Sequence, residues 1–360
     1  MKFSDVLDIR NGRNQRQVEN ENGKYPIYGS GGVMGHATDF ICDAGTVVIG
    51  RKGSINNPIF VDEPFWNVDT AFGLVAHREV LLPKYLFYFC VNFDFERLNT
   101  TVTIPSLTKA NLLQIEINVP DMDEQRRVVS ILDKICQLID LQQQELHNLD
   151  QLVKSRFIEL FGVYPSNPKG WETATIRDIV ADVRYGSSRP AVDGGKYPYL
   201  RMNNITYGGE LDLTDTKRID IPDNELDKCT VRRGDVLFNR TNSKELVGKT
   251  CVYNRDEKMV LAGFVIRVRV TERVLPEFLS AFLNTDFSKQ MLLGMCKAAI
   301  GQANINAQEM QNIGIYLPPT ELQRQFVQFK EQTDKSKLAV QKGLQELEIL
   351  KKSLMQQYFG

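Results

Sequence analysis

The chain contains one long segment twice. The stretch that begins at Val119-Pro120, passes Lys154-Ser155 and ends at Phe161-Gly162 recurs from Leu317-Pro318 through Lys352-Ser353 to Phe359-Gly360, at a constant offset of 198 and without a gap. Gln125-Arg126 falls on Gln323-Arg324, and Leu146, Leu149 and Leu152 fall on Leu344, Leu347 and Leu350. Solenoid repeats have periods of roughly 20–50 residues, so this is one large unit duplicated rather than a stack of small ones. A chain of 360 residues built this way folds as two similar halves, each followed by a similar segment.

The repeated segment reads as a helix. Positions 128, 132, 135, 139, 142, 146, 149, 153, 156 and 160 are spaced alternately by four and three and hold Val128, Leu132, Ile135, Ile139, Gln142, Leu146, Leu149, Val153, Arg156 and Leu160. That is a heptad seam with no Pro or Gly inside it. Pro120 closes the alternating run Ile115–Val119, read as a half-buried strand, and Asp121 or Asp123 caps the helix that follows. The helix is predicted over Asp123–Phe161, with Gly162 ending it, and its copy over Thr320–Tyr358. The copy keeps Val340, Leu344, Leu347 and Leu354 apolar, but Lys330, Thr333, Lys337 and Lys351 interrupt its seam, so its first third is expected to splay or shift register. The competing reading is an ordinary amphipathic helix lying on a globular core. At ~1.5 Å per residue the helix is about 55–60 Å long and outruns a single core, which favours a spacer. Packed antiparallel, the two helices bury each other's stripe and carry the globular halves at opposite ends.

The globular halves are β-rich and related more loosely. Gly23-Lys24-Tyr25-Pro26 reappears as Gly195-Lys196-Tyr197-Pro198 at an offset of 172, Gly45-Thr46-Val47 parallels Gly234-Asp235-Val236 at 189, and Leu107 precedes Ile305 by 198. The growing offset means insertions in the second half. Residues Met1–Val6 align with the stretch around Thr175–Ile179, so the first half lacks a counterpart of Val163–Ala174, a difference that falls at the edge of its sheet. Six cysteines form no CxxC pair and no zinc spacing, which suits a reducing cytosol, and three scattered histidines argue against a His-based metal site. No apolar run approaches a membrane span, and the N-terminus has no signal-peptide pattern; a cytoplasmic location is expected.

No catalytic constellation stands up. Asn57-Pro58-Ile59-Phe60 looks like an amino-methyltransferase loop, but Ile59 replaces its second proline and no cofactor-binding glycine motif precedes it. Gly29–Gly35 lacks GxGxxG spacing and reads as a tight turn. What remains is a set of loops dense in base-reading side chains. In the first half these are Arg10, Arg13 and Asn14, then Arg51, Lys52, Ser54, Asn56 and Asn57. In the second they are Arg184, Tyr185, Ser187, Ser188 and Arg189; Arg201, Asn203 and Asn204; and Arg240, Thr241, Asn242, Ser243 and Lys244. Arg pairs with guanine O6/N7 and Asn with adenine N6/N7 through two hydrogen bonds, while Lys, Ser and Thr suit phosphates. Each loop alone is more simply a solvated loop, but matching loops follow strand-like runs in both halves. Charge argues the other way. Residues 1–119 carry 11 basic and 13 acidic side chains, residues 163–317 carry 21 and 19, and the whole chain nets −1. A partner would then supply much of the phosphate neutralisation that drives affinity.

Over essentially its whole length the chain resembles a specificity subunit of type I restriction–modification systems. The likeness rests on Pro120…Gln125-Arg126…Phe161-Gly162 and its copy Pro318…Gln323-Arg324…Phe359-Gly360; on Ile49–Ser54 with Trp66–Thr70; on Gly234–Ser243 with Leu246–Lys249; and on the loop Gly301–Asn306, which adds Gln302 and Asn304 to the candidate DNA contacts. The resemblance implies an α/β (α+β) chain with target-recognition domains at 1–119 and 163–317, spacer helices at 120–162 and 318–360, and an internal pseudo-two-fold repeat. It implies no catalysis, metal or cofactor in this chain. Two copies of a modification subunit would methylate adenine with S-adenosylmethionine, and restriction subunits would bring ATP and Mg chemistry. Each domain would read one half of a split double-stranded DNA site. Two other classes stay open: a coiled-coil scaffold that binds only protein, and a self-contained DNA-modifying enzyme.

Overall fold

The computed structural model describes residues 1–99, 106–296 and 303–360. The chain forms two compact units, one of Met1–Glu145 with Val340–Gly360 and one of Leu146–Ala339. Each unit therefore holds the start of one long helix and the end of the other. The first long helix spans Met122–Phe161 and the second Thr320–Phe359, 40 residues each.

In the first unit, β1 (Leu7–Asn11), β2 (Tyr25–Gly29), β3 (Gly32–Ala37), β4 (Thr46–Gly50), β5 (Ile59–Val61), β6 (Trp66–Asn67) and β7 (Ala71–Ala76) form two sheets. One has the order β1-β7-β4-β5 and the other β3-β2-β6. The glycine-rich run is the β2–β3 hairpin, with Gly29 paired to Gly32, as its reading as a tight turn requires. A helix at Pro83–Asn92 covers the larger sheet; Leu81, Tyr85, Leu86 and Phe89 join Val47, Ile49 and Leu74 in the core. Along the long helices, Val128 and Leu132 belong to that core together with Met355, and Gln142 lies against Gly343.

The second unit repeats this plan with additions. Its strands are β8 (Glu172–Thr175), β9 (Val180–Tyr185), β10 (Tyr197–Leu200), β11 (Lys217–Ile219), β12 (Thr230–Val231), β13 (Val236–Asn239), β14 (Thr241–Asn242), β15 (Thr250–Val252), β16 (Met259–Leu261), β17 (Val265–Val270), β18 (Ala303–Asn304) and β19 (Gly314–Leu317). The order β15-β13-β17-β9 answers β5-β4-β7-β1, and β11-β10-β16-β12 answers β3-β2-β6, both smaller sheets having one parallel pair. The insertion read from the offsets includes the helix Asp223–Cys229 and strand β12. Gly23 and Gly195 recur for a steric reason: a Cβ at either would strike the backbone of the neighbouring strand, at Ala37 or Ile219.

Within each unit the long helices are antiparallel, because contact positions rise on one helix as they fall on the other. In the second unit Phe157 meets Phe326 at 5.3 Å, Arg156 lies over Phe329 at 5.7 Å, and Asp150 pairs with Lys337. Leu132, Ile135 and Ile139 are buried and Leu146, Leu149 and Val153 half-buried, while the intervening faces are exposed. Val340, Leu344, Leu347 and Leu354 are half-buried in turn. The expected splay of the second helix does not occur. Lys337 takes Asp150, Glu210 and Asp334 as partners, Lys330 pairs with Asp334, and the Thr333 hydroxyl donates to the Phe329 carbonyl, so the three polar seam positions in its first half are satisfied in register.

Each long helix starts and stops by the same device. Asp121 is the N-terminal cap, its carboxylate accepting the Glu124 amide at 2.8 Å; Asp123 instead pairs with Arg126. Gln125 is fully buried: its carbonyl accepts the Leu82 amide at 2.8 Å and its amide donates to the Val80 and Pro120 carbonyls. Gln323 does the same with Leu275, Arg273 and Pro318. At the other end Gly162 (φ +86) and Gly360 (φ +91) adopt the left-handed conformation of a helix stop, the amide of each donating to the carbonyl four residues back.

One expected strand is not formed. Ile115 and Ile117 are buried and Glu116 and Asn118 exposed, the alternation predicted, but the backbone of 115–119 makes only one bridge, Lys2 to Glu116. Its equivalent β19 pairs with β8 along four residues. The contact is short: the Phe3 amide donates to the Ile115 carbonyl and the Ile117 amide to the Met1 carbonyl on either side of that bridge.

Candidate nucleic-acid interface

Strand register brings the predicted loops to one end of the larger sheet in each unit. In the first, Asn11 at the end of β1 and Ile49 near the end of β4 both pair with Phe72 at the start of β7. Arg10, Arg13 and Asn14 therefore share a sheet end with the loop Arg51–Asn57. The Arg13 amide donates to the Asn67 carbonyl, tying the loop to β6. In the second unit Tyr185 at the end of β9 and Phe238 in β13 both pair with Ile266 in β17. The Ser187–Arg189 and Arg201–Asn204 loops meet the same edge through the Leu261–Gly263 backbone, which takes the Ser187 amide at Leu261 and donates the Ala262 amide to Leu200.

The hydrogen bonds divide the candidates. Arg184 pairs with Asp182, Arg189 takes both oxygens of Glu225, and Arg201 holds Asp215. Burial pushes the Asp182 carboxyl up, but Arg267 and Arg184 beside it prevail and leave it below its ordinary value. Asn204 is buried with its amide on the Asp212 and Asp215 carbonyls. Asn56 donates to Asp94 and accepts from Phe95; Ser187 is buried and its hydroxyl accepts the Arg189 amide. These six groups are engaged in holding loops. Thr241 and Asn304 bond to each other across the β14–β18 pair, and the Asn242 amide donates to Asn239. Arg10, Arg13, Asn14, Lys52, Ser54, Asn57, Ser188, Asn203 and Lys244 are exposed, and Ser243 is half-buried. Gln302 lies outside the described residues.

Arg51 and Arg240 differ from the committed arginines. Among the described residues neither guanidinium has a hydrogen-bond or carboxylate partner. Arg51 lies over the Phe72 ring at 5.7 Å and Arg240 over the Tyr185 ring at 5.0 Å. The Tyr185 hydroxyl in turn accepts the Ala307 amide at 2.9 Å. Sequence reading missed Phe72, which looks like plain core. Asn239, first residue of the candidate loop that runs to Lys244, is buried instead, and its amide donates to the Thr241 and Phe264 carbonyls and shapes the turn at Arg240.

The second unit also has a cavity of about 480 Å³ lined in part by Asp150, Tyr207, Asn284, Lys289 and Lys337. Lys154 pairs there with Asp286, and the Lys289 ammonium donates to the Tyr207 carbonyl and sits 3.5 Å from its ring. Burial brings the Lys289 pKa down to about 8. Among the described residues no group of three or more metal-ligating side chains converges, and no helix is long and apolar enough to cross a membrane.

Comparison with known proteins bears on this arrangement. A family model described as the type I restriction modification DNA specificity domain matches residues 1–151 and 168–349. The type I restriction enzyme EcoKI specificity subunit of Escherichia coli K12 is 23% identical over 251 residues, covering 65% of this chain and 54% of that protein. The MjaVIII specificity subunit of Methanocaldococcus jannaschii is 24% identical over 340 residues, covering 87% and 75%. Against the EcoKI subunit the chain thus spans about half the relative's length. A crystal structure of a type I restriction–modification S subunit from M. genitalium shares the fold with a TM-score of 0.62 at 16% identity, over 100% of this chain and 95% of that one.

Proposed function

Because the chain belongs to the family of type I restriction–modification DNA specificity domains, we propose that it is the sequence-reading member of such a complex. In this reading the domains 1–119 and 163–317 each recognise one half of a bipartite double-stranded DNA site, and the helices 120–162 and 318–360 set the gap between the halves. The chain itself performs no chemistry. Two copies of a modification subunit supply S-adenosylmethionine-dependent adenine methylation, and restriction subunits supply the ATP-dependent steps. The observation that supports this most is the equivalence of the two faces: in each unit, polar loops gather at the same end of the same sheet, and each carries an arginine whose guanidinium has no hydrogen-bond or carboxylate partner among the described residues.

Engaged side chains take a lesser part in that reading. Asn56, Ser187 and Asn204 shape loops, while Arg13, Asn14, Lys52, Asn57, Ser188, Asn203 and Lys244 reach outward to bases or phosphates. The test is to co-express the chain with its modification subunit and map methylated adenines over a randomised DNA library. One split motif with a fixed gap is expected. Exchanging residues 163–317 for those of another family member should change one half of the motif and leave the other. Methylation whose sequence preference is unaltered by the exchange would refute modular reading.

A further inference from the structure

Arg51 and Arg240 occupy the same place in their units, down to the backbone. The Arg51 amide donates to the Thr70 carbonyl at 2.8 Å, and its carbonyl accepts the Leu107 amide at 2.9 Å. The Arg240 amide donates to the Phe264 carbonyl at 3.0 Å, and its carbonyl accepts the Ile305 amide at 2.9 Å. Thr70 and Phe264 each stand two residues before the β7 or β17 residue of one cross-strand pair: Phe72 with Asn11 in the first unit, Ile266 with Tyr185 in the second. Both pairs contain one aromatic ring, and that ring lies beside the arginine. The ring comes from the central strand in one unit and from its neighbour in the other. The sequence position differs and the contact is the same.

A cation placed only to attract phosphate needs neither clamp nor ring, and surface lysines do that work. A ring against one side of a guanidinium restricts where it points; the Arg240 Nε is buried without a partner among the described residues, which leaves the two terminal nitrogens as its donor pair. Two parallel N–H donors held in this way match the O6 and N7 acceptors of guanine in the major groove. We propose that Arg51 and Arg240 each read a guanine, one in each half of the site, and that Phe72 and Tyr185 are the positioning residues that hold them. The proposal rests on the DNA-reading function given above and specifies a feature of the sequence that is read.

The experiment uses the full chain in complex with its modification subunit, and measures methylation of substrates in which each base pair of the wild-type motif is changed in turn. The wild type should show one strongly required G·C pair in each half. Arg51→Lys and Arg240→Lys keep the charge and lose the paired donors. Each should lower discrimination at a single G·C position in its own half by about ten-fold or more, the other half being unchanged. Tyr185→Leu should lower discrimination at the Arg240 position by about two- to five-fold, the size of an exposed cation–ring contact. Tyr185→Phe, which keeps the ring, should retain it. Phe72→Leu should act likewise on the first half; Phe72 lies in the core, so Tyr185→Leu decides the matter if the Phe72 variant lowers the melting temperature.

A wild-type complex with no sequence preference would overturn the DNA-reading function itself. A clear split motif in which both Arg→Lys variants weaken methylation evenly across all substrates would leave that function standing and refute guanine reading. Loss of discrimination in the Arg→Lys variants but not in Tyr185→Leu would refute the positioning role.

Discussion

Gln125 and Gln323 offer a measurement made twice in one molecule. Each side chain is fully buried at the start of its long helix and makes three main-chain hydrogen bonds, accepting the amide of Leu82 or Leu275 just before a short helix and donating to two carbonyls, those of Val80 and Pro120 or of Arg273 and Pro318. Substitution by Leu keeps the volume near constant and removes all three, leaving an amide and two carbonyls without partners in a place water reaches poorly. A buried bond contributes about 1 kcal/mol net, and an orphaned group costs about 1–3 kcal/mol. The expected loss is about 3 kcal/mol for Gln125→Leu, and the same within about 1 kcal/mol for Gln323→Leu, because the partners correspond one to one. Urea unfolding followed by circular dichroism would measure both, with the midpoint moving and the slope unchanged. The two sites share no partner, so their effects should add in the double variant. Glu at either position should be worse than Leu, since it loses both donors and places a carboxylate against two carbonyls. A loss below about 0.5 kcal/mol in either Leu variant would refute the view that these glutamines hold the helix starts.

Three further outcomes follow from the structure. Leu149→Lys should destabilise strongly because it puts a charge into the half-buried helix seam, whereas Gln142→Leu should be neutral or stabilising, since the Gln142 carbonyl is buried without a partner; melting temperatures distinguish the two. Burial lowers the Lys289 pKa to about 8 from the ordinary 10.5, so between those pH values the unfolded chain binds more protons than the folded one and stability rises with pH; wild type should gain on Lys289→Met across that window, and a constant difference between pH 7 and 10 would contradict it. With a net charge of −1, the isolated chain should bind its DNA weakly in physiological salt and gain affinity and sequence preference together when the modification subunit is added, as read by a competition shift assay; tight specific binding without the partner would contradict this.

The long helices were the most legible part of the chain because their signal is periodic and local. The burial of Leu132, Ile135 and Ile139 follows the alternating four-three spacing, and the twin glutamines mark the twin starts. The polar seam positions misled for a physical reason. Lys337 reads as a break when only its own helix is considered, yet its partners Asp150 and Glu210 come from the other long helix and from a loop 127 residues away. A buried cation is tolerated when such partners are present, and a heptad pattern has no way to include them. Likewise Ile115–Val119 has the alternation of a strand, but alternation records which side is buried and not whether a neighbouring chain is there to complete the ladder.

The candidate interface was legible in its composition and much less so in its geometry. Loops rich in Arg and Asn after Ile49 and Phe238 are visible in one dimension, and register places them at a shared sheet end. Which of their side chains are engaged is decided by residues far away: Glu225 stands 36 positions from Arg189, and Asp94 38 from Asn56. The rings beside Arg51 and Arg240 show the difficulty most clearly. Phe72 aligns with Ile266, and Tyr185 with Asn11, so a comparison of the two halves residue by residue sees an aromatic lost at each position. Across a paired strand the two positions are neighbours, and either can supply the ring. What the two halves have in common there is a contact between side chains, which survives an exchange of the residues that make it.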